Sequence, residues 1–161
     1  NNYFQESKKI RIVENNKEEN NLTKDPVSSI IAITSVSPTL TEIENLLKNW
    51  LENKGKFLAG EGKLDLSKIV KANLLLRLNE ERSDDLKKNI TKIIDTDIQS
   101  LEYLTQSSSR ISVLAKLQYS EKILNNNGDV VNVTTLNPLK VKYIFGYDAN
   151  SWKLVDYVSG M

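Results

Sequence analysis

Leu40, Ile43, Leu46, Leu47, Trp50, Leu51, Phe57 and Leu58 recur at three- and four-residue intervals, the spacing that lines one face of an α-helix. Pro38 stands near its first turn, Thr39 or Thr41 offers the cap, and Thr41 with Glu44 reads as a capping box. Gly60 and Gly62 signal the end of the helix. Gly55, inside it, costs roughly 1 kcal/mol relative to Ala, a sign that something packs close there. A short second helix is expected from about Leu66 to Lys71, and a third over roughly Asn73 to Asn89. In the third, Leu74, Leu75, Leu78 and Leu86 would face inward. Glu80, Glu81, Arg82, Asp84, Asp85, Lys87 and Lys88 would form a solvated face.

From Ile90 onward the period becomes two, the signature of half-buried strands. A strand is expected to start at Ile98, and its face shifts near Ser100, before Leu101 and Tyr103, as a bulge would make it. Ile111, Val113, Ala115, Leu117 and Tyr119 alternate with polar residues. Leu139, Val141, Tyr143, Phe145 and Tyr147 do the same. Asn127-Gly128 between them signals a type I′ hairpin, which needs positive φ at both central residues. Asp148-Ala149-Asn150 makes the next turn, and Trp152 to Val158 the last strand. The pattern therefore predicts an α+β fold: helices over residues 40–90, packed on a curved sheet of four antiparallel strands over residues 95–158, with Trp50 buried between them.

Composition narrows the chemistry. The chain has 161 residues, 39% of them hydrophobic, which suits one domain with one core. Residues 1–37 read as a linker, disordered or extended, and residues 38–161 as the folded domain. Asn15, Asn16, Asn20 and Asn21 among Lys17, Glu18 and Glu19 leave little to bury. Residues 1–25 are accordingly expected to add little stability, unless Ile10, Ile12 and Val13 dock as a stray strand. Lys and Arg number 22 against 21 Asp and Glu, so the net charge of +1 argues against nucleic acid as a partner. With no His and no Cys there is no catalytic triad, thiolate nucleophile, Cys/His zinc site or disulfide. The apolar-leaning stretch Val27 to Val36 falls well short of the roughly 20 residues that span a bilayer. The start, Asn1-Asn2-Tyr3-Phe4, has no signal-peptide pattern and no initiator Met, as in a piece of a larger protein.

No motif supplies catalysis, a metal or a cofactor. Adjacent Glu80-Glu81 and Asp84-Asp85 diverge on a helix. Asp95 and Asp97 share one side of a strand and could meet a cation, but a solvated strand end explains them more simply. Gly60-Glu61-Gly62-Lys63 lacks the spacing of a phosphate loop, and Asn125 to Asp129 lacks the closing Glu of a calcium loop. The aromatics are more telling. Trp50, Phe57, Tyr119, Tyr143, Phe145, Tyr147, Trp152 and Tyr157 lie on the first helix and the sheet face that covers it. Most belong in the core; a few could line an apolar pocket at the open end.

Certain strings resemble a known family: Ile43 to Lys54, with its Trp50-Leu51-x-x-Lys54 core; Phe57-Leu58-Ala59-Gly60; Leu64 to Val70; the strand Ile98 to Tyr103; and Ser151-Trp152-Lys153-Leu154. From about Leu40 to Gly160 the chain resembles the IMS-type (ARC6-like) domain of cyanobacterial cell-division proteins of the ZipN kind and their plastid-division relatives. The resemblance implies a cystatin-like or nuclear-transport-factor-like cone and a non-enzymatic interaction module. In that family an amino-terminal J-like domain engages the division GTPase FtsZ, a membrane helix follows, and this domain sits beyond it, binding partner division proteins. The plastid members receive the carboxyl-terminal tail of an outer-envelope protein. Neither J-like domain nor membrane helix is in these residues, so FtsZ binding does not carry over.

The leading expectation is therefore a domain on the periplasmic face of the inner membrane, part of a longer membrane-anchored protein. It would not itself insert into the membrane. It would bind a protein or peptide tail of the division or envelope machinery in an apolar concavity near Trp50, Tyr143, Phe145 and Trp152. A homodimer is compatible with the same reading. The alternative is a small-molecule-binding or isomerase-like enzyme domain, which would need a buried carboxylate beside a Tyr hydroxyl; Asp95, Asp97 and Asp156 are the candidates. A third reading, a spacer or dimerisation unit, would put its largest apolar patch on a flat face.

Overall fold

The computed structural model describes residues 37–62 and 65–160. Two helices, α1 (Leu40–Leu58) and α2 (Ala72–Lys87), precede four strands: β1 (Thr91–Gln106), β2 (Arg110–Leu124), β3 (Val130–Asp148) and β4 (Ser151–Ser159). The strands pair antiparallel in chain order, and the sheet does not close on itself. This is the α+β architecture that the hydrophobic pattern predicts. The backbone divides into Asn1–Thr39 and Leu40–Met161, and all six elements belong to the second unit. The linker and the stray strand expected over residues 1–37 lie, but for Ser37, outside the described residues.

Helix α1 begins at Leu40, which puts Thr39 at the cap position and Glu42 in the first turn. Thr41 therefore lies inside the helix, and Glu44, expected in a capping box, instead pairs with Lys48 at 3.3 Å. The far end closes as the glycines predict. Gly60 takes φ +84°; its N–H donates to the Phe57 carbonyl, and the Glu61 N–H donates to that of Lys56. These two bonds satisfy carbonyls that the last helical turn leaves free. Ile43, Leu47, Trp50 and Leu58 form the buried stripe. A Cβ on Gly55 would sit 3.4 Å from the Ile94 carbonyl oxygen of β1, so this glycine lets helix and strand backbones approach.

The segment expected as a short helix, Leu66 to Lys71, makes only a single turn. The Ile69 and Val70 N–H groups both donate to the Leu66 carbonyl, and the chain then joins the edge of β4. There Lys71 N–H donates to the Leu154 carbonyl at 2.9 Å, and Leu154 N–H donates to that of Ile69 at 2.8 Å. Val70 and Leu154 thus form one isolated parallel bridge, and the named strands remain wholly antiparallel.

The expected inner face of α2 holds for Leu74 and Leu78 but fails at its end. Leu86 is 59% exposed and Asp85 only 3%. The stripe runs Leu74, Leu78, Glu81, Asp85, so the last inward positions are acidic. Lys92 of β1 makes this possible: its ammonium lies 2.8 Å from Glu81 Oε2 and 3.4 Å from Asp85 Oδ1. Burial pulls the Lys92 pKa down, but the bond to Glu81 and the charges of Glu81 and Asp85 outweigh it and hold it above the ordinary value.

Strand β1 starts at Thr91, earlier than the expected Ile98, and its register shifts between Ile98 and Ser100, where the sequence predicts a bulge. The β2–β3 hairpin is present, but its turn is not the expected type I′. Asn127 does not take positive φ; only Gly128 does, at +83°. The Asn125 side chain decides this, since its Oδ1 accepts from the N–H groups of Asn127 and Asp129 and fixes a longer loop. Positive φ at both central positions occurs instead at Ala149 (50°) and Asn150 (65°), between β3 and β4.

Length sets the outline of the site. With 19 residues, α1 is about 28 Å long, whereas the 19 residues of β3 extend about 60 Å. Covered by the helices, Val113, Val141, Phe145 and Leu154 pack with Trp50 and Leu47 into one core. Beyond that cover β2 and β3 run on, and Val130, Val131, Val133 and Leu136 are exposed. The sheet outruns its helices.

Candidate functional site

A cleft of about 270 Å³ opens between α1 and the inner sheet face. Leu117, Leu139 and Val141 form its apolar floor, Tyr119, Tyr143 and Tyr157 wall it, and Leu51, Lys54 and Gly55 supply the helical side. Leu136 marks its outer end, on the uncovered part of β3.

Tyr157 reaches this face through an irregularity. The β3–β4 register shifts between Ile144 and Phe145, which face Asp156 and Leu154. The extra residue in β4 turns Tyr157 inward, although it lies three positions after buried Leu154. Its ring is 5.9 Å from that of Tyr143 and 6.3 Å from that of Trp50. Lys54 Nζ lies 5.0 Å from the ring centre and the Arg77 guanidinium 4.8 Å, two cation–π contacts on one aromatic. Arg77 is neutralised by Asp156 at 3.0 Å. Lys54 is not: it donates to the Tyr157 hydroxyl at 3.4 Å and forms no ion pair among the described residues.

Two phenols of the cleft, Tyr143 and Tyr119, are held in the protonated form. Burial, then the charge of Tyr157, pushes Tyr143 well above the usual tyrosine range. Burial, then the hydrogen bond to Glu121, does the same for Tyr119, whose hydroxyl donates to Glu121 Oε1 at 2.6 Å. Glu121 is not among the cleft-lining residues.

The four rings expected at the mouth do not converge. Tyr143 is in the cleft wall, though only 3% exposed. Trp50 is buried as expected and lines a second groove, shared with Lys54, Arg77 and Tyr157. Phe145, at 0% exposure, is closed inside the core. Trp152 packs on Tyr147 at 5.6 Å, beside the β3–β4 turn. Strict alternation along β3 and β4 places these rings on one face but does not say which part of that face the helices cover. Lys54 is a site residue that sequence reasoning does not single out, though it is legible as the residue one turn after Trp50. Tyr157, one of the aromatics expected on the inner face, is not among the four rings expected at the mouth; the bulge in β4 is what turns it inward.

The carboxylates weighed for catalysis stand apart from the cleft. Asp95 and Asp97 are exposed on β1, and Asp156 pairs with Arg77. Among the described residues no group of three or more acidic side chains could hold a metal ion, and no helix is long and apolar enough to cross a membrane.

The family model for the ARC6-like IMS domain matches residues 43–155. The chain belongs to that family. The match runs from Ile43, the first buried residue of α1, into β4, so Tyr157 lies just beyond it. Among solved structures, the IMS-family chain is similar to the intermembrane space region of the chloroplast protein ARC6, with a TM-score of 0.59 and 13% sequence identity. That likeness covers 76% of this chain and 97% of the other, and at such identity it speaks for the fold alone. No curated protein sequence matches significantly.

Proposed function

We propose that this domain is a non-enzymatic interaction module that holds an apolar, carboxylate-bearing tail of a partner from the division or envelope machinery. It would do so as part of a longer, membrane-anchored protein, on the periplasmic face of the inner membrane. One observation carries the reading: the cleft is apolar on its floor and holds a single cation, Lys54, whose charge no carboxylate among the described residues answers. An unpaired ammonium beside buried apolar surface favours a ligand that brings an anion on an apolar stem. Membership in the IMS-domain family and the likeness to the intermembrane space region of ARC6 support a partner and a compartment of this kind.

The test starts with this chain as bait for membrane extracts of the parent organism, followed by calorimetry on the captured partner's tail. Lys54→Met should weaken binding by about 2 kcal/mol, the usual worth of a hydrogen bond to a charged group. Leu136→Ala, at a half-open position, should weaken it without harming the fold. Tyr143→Ala is the wrong probe, because so buried a ring would cost stability; Tyr143→Phe removes only the hydroxyl. Unchanged affinity in all three variants would take the cleft out of the interaction. A bait that captures no partner would count against the interaction module itself.

A further inference from the structure

The sheet has a second face, turned away from the helices, and its charges are sorted by strand. Directly paired residues share a face. Ala115 and Leu117, with their partners Val141 and Leu139, belong to the inner one. Lys116 and its partner Lys140 therefore project outward. Lys142 on β3 and Lys122 on β2 lie an even number of residues further along and share that side. Arg110 completes the row: its partner is Gly146, and the space a Cβ on Gly146 would take is filled by the Arg110 guanidinium. Among the described residues none of these five cations is in an ion pair. Lys153 joins them from β4, although it shares Asp148 with Lys71. The carboxylates of β2, β3 and β4 are Glu121, Asp148 and Asp156, and each is engaged elsewhere. Glu121 accepts from Tyr119, Asp148 pairs with Lys71, and Asp156 pairs with Arg77. Lys116 and Lys140 thus stand directly opposite each other with no anion between them, an arrangement that costs stability in a sheet.

We propose that the outer face of β2, β3 and β4 docks on an anionic lipid bilayer. The net charge of +1 conceals the patch, because the balancing carboxylates sit on the helices and on β1. The cations do not converge on one point. From Arg110 to Lys122 the row runs twelve residues of one strand, about 40 Å, with Lys140 and Lys142 beside its middle. Such a spread suits a surface of many separate headgroups, each basic residue adding its own attraction. A headgroup phosphate between Lys116 and Lys140 relieves their repulsion. Val133 and Val158, 55% and 49% exposed, stand opposite Lys122 and Lys142 and give the lysines apolar neighbours. The edge strand β1 carries the other sign on this face, in Asp95, Asp97 and Glu102, and this row sets the tilt. Strand twist turns β1 about 40–50° from β3, so β3 can lie on the bilayer while the acidic edge stands clear. The cleft lies on the opposite face of the sheet and stays open to its own ligand, whatever that is.

Cosedimentation of the whole chain with vesicles tests this, comparing equal parts phosphatidylglycerol and phosphatidylcholine with phosphatidylcholine alone. The chain should bind the anionic vesicles, less so at high salt, and leave the neutral ones. Lys140→Glu should weaken that binding about tenfold or more. It should nevertheless raise the thermal midpoint, because it turns a like-charge pair across the sheet into an opposite one. That combination separates docking from folding. Lys122→Glu, at the uncovered end of the sheet, is a second charge reversal to use should Lys140→Glu melt lower than the unaltered chain. Asp97→Lys/Glu102→Lys, on the acidic edge, should strengthen binding instead. No binding to anionic vesicles at low salt overturns the proposal. So does equal binding to neutral vesicles, or unchanged binding in both lysine variants. Soluble polyglutamate held as tightly as the vesicles would assign the face to an acidic protein and overturn it too.

Discussion

The two ends of β3 are one strand with two fates. From Val141 to Gly146 the inner positions are sealed under α1 and paired to β4, and Phe145 loses all contact with solvent. From Val130 to Leu139 the same strand has β2 on one side and no β4 partner on the other. Val130, Val131, Val133 and Leu136 stay open. Apolarity alone does not make this difference, since both ends carry apolar side chains, Val141, Tyr143 and Phe145 at one and Val130, Val131, Val133 and Leu136 at the other. Rise per residue does: a strand advances more than twice as far per residue as a helix. A helix matched to the sheet in residue number therefore covers less than half of it. The cleft lies at the border, where Leu139, Val141 and Tyr143 pass from open to sealed. Its existence follows from length, and its polarity from which residues fall at the border.

Truncation should separate the two ends most sharply. Phe145→Ala or Trp50→Ala removes a fully packed ring and should cost about 3–5 kcal/mol of folding stability. Val133→Ala, on the open end of the same sheet, should stay within about 0.5 kcal/mol. Urea denaturation of the three variants measures both. If Val133→Ala destabilised as much as Phe145→Ala, the open end would be covered and the border misplaced.

The same border explains what is and is not legible in the sequence. Alternation assigns Ile111, Val113, Ala115, Leu117, Val141 and Phe145 to one face, and all are buried there. Helical spacing likewise places Ile43, Leu47 and Trp50 inward. These are local periodicities, readable from neighbours in the chain. Whether a face position is sealed or open depends on where a helix ends above it, a distance set by tertiary packing. Trp50, Phe145 and Trp152 group with Tyr143 in the sequence for that reason, and part from it in the fold. Tyr157 belongs with the inner aromatics as expected, but it gets there through one extra residue in β4, which reverses the face of everything after it. Asp85 reads as solvated because its counter-charge, Lys92, comes from the next element.

The Asp85–Lys92–Glu81 cluster provides a second, smaller contrast, a buried charge on the covered side of the molecule. Among the described residues Asp85 Oδ2 has no hydrogen-bond partner, so the carboxylate is held mainly by the ammonium. Asp85→Asn should cost about 1–3 kcal/mol, less than a fully broken buried pair because Glu81 still answers Lys92. The pH dependence comes from Lys92. Its folded pKa is raised above the unfolded value of about 10.4. Its contribution is therefore complete below that pH and is lost as pH rises through the folded value. Stability measured from pH 8 to the alkaline limit should fall more steeply in the unaltered chain than in Lys92→Met. Parallel curves for the two proteins would show that Lys92 does not carry the effect.

The smallest effect lies in the turns that close the two ends. At the open end Gly128 takes φ +83°, with nothing within 4 Å of where a Cβ would sit. Gly128→Ala therefore meets no clash and should cost only the left-handed backbone strain of an L-residue, about 1 kcal/mol. At the covered end that strain is already present, because Ala149 takes φ 50° as the first central residue of its turn. Relieving it should be favourable. Ala149→Asn suits a left-handed position and, unlike Ala149→Gly, does not add the chain entropy that glycine brings to the unfolded state. It should raise stability by about 0.5–1 kcal/mol, a shift of a few degrees in the thermal midpoint. The two substitutions thus act in opposite directions at opposite ends of β3. A lower midpoint for Ala149→Asn would show that the turn is held by something other than its backbone, most directly the ion pair of its neighbour Asp148 with Lys71.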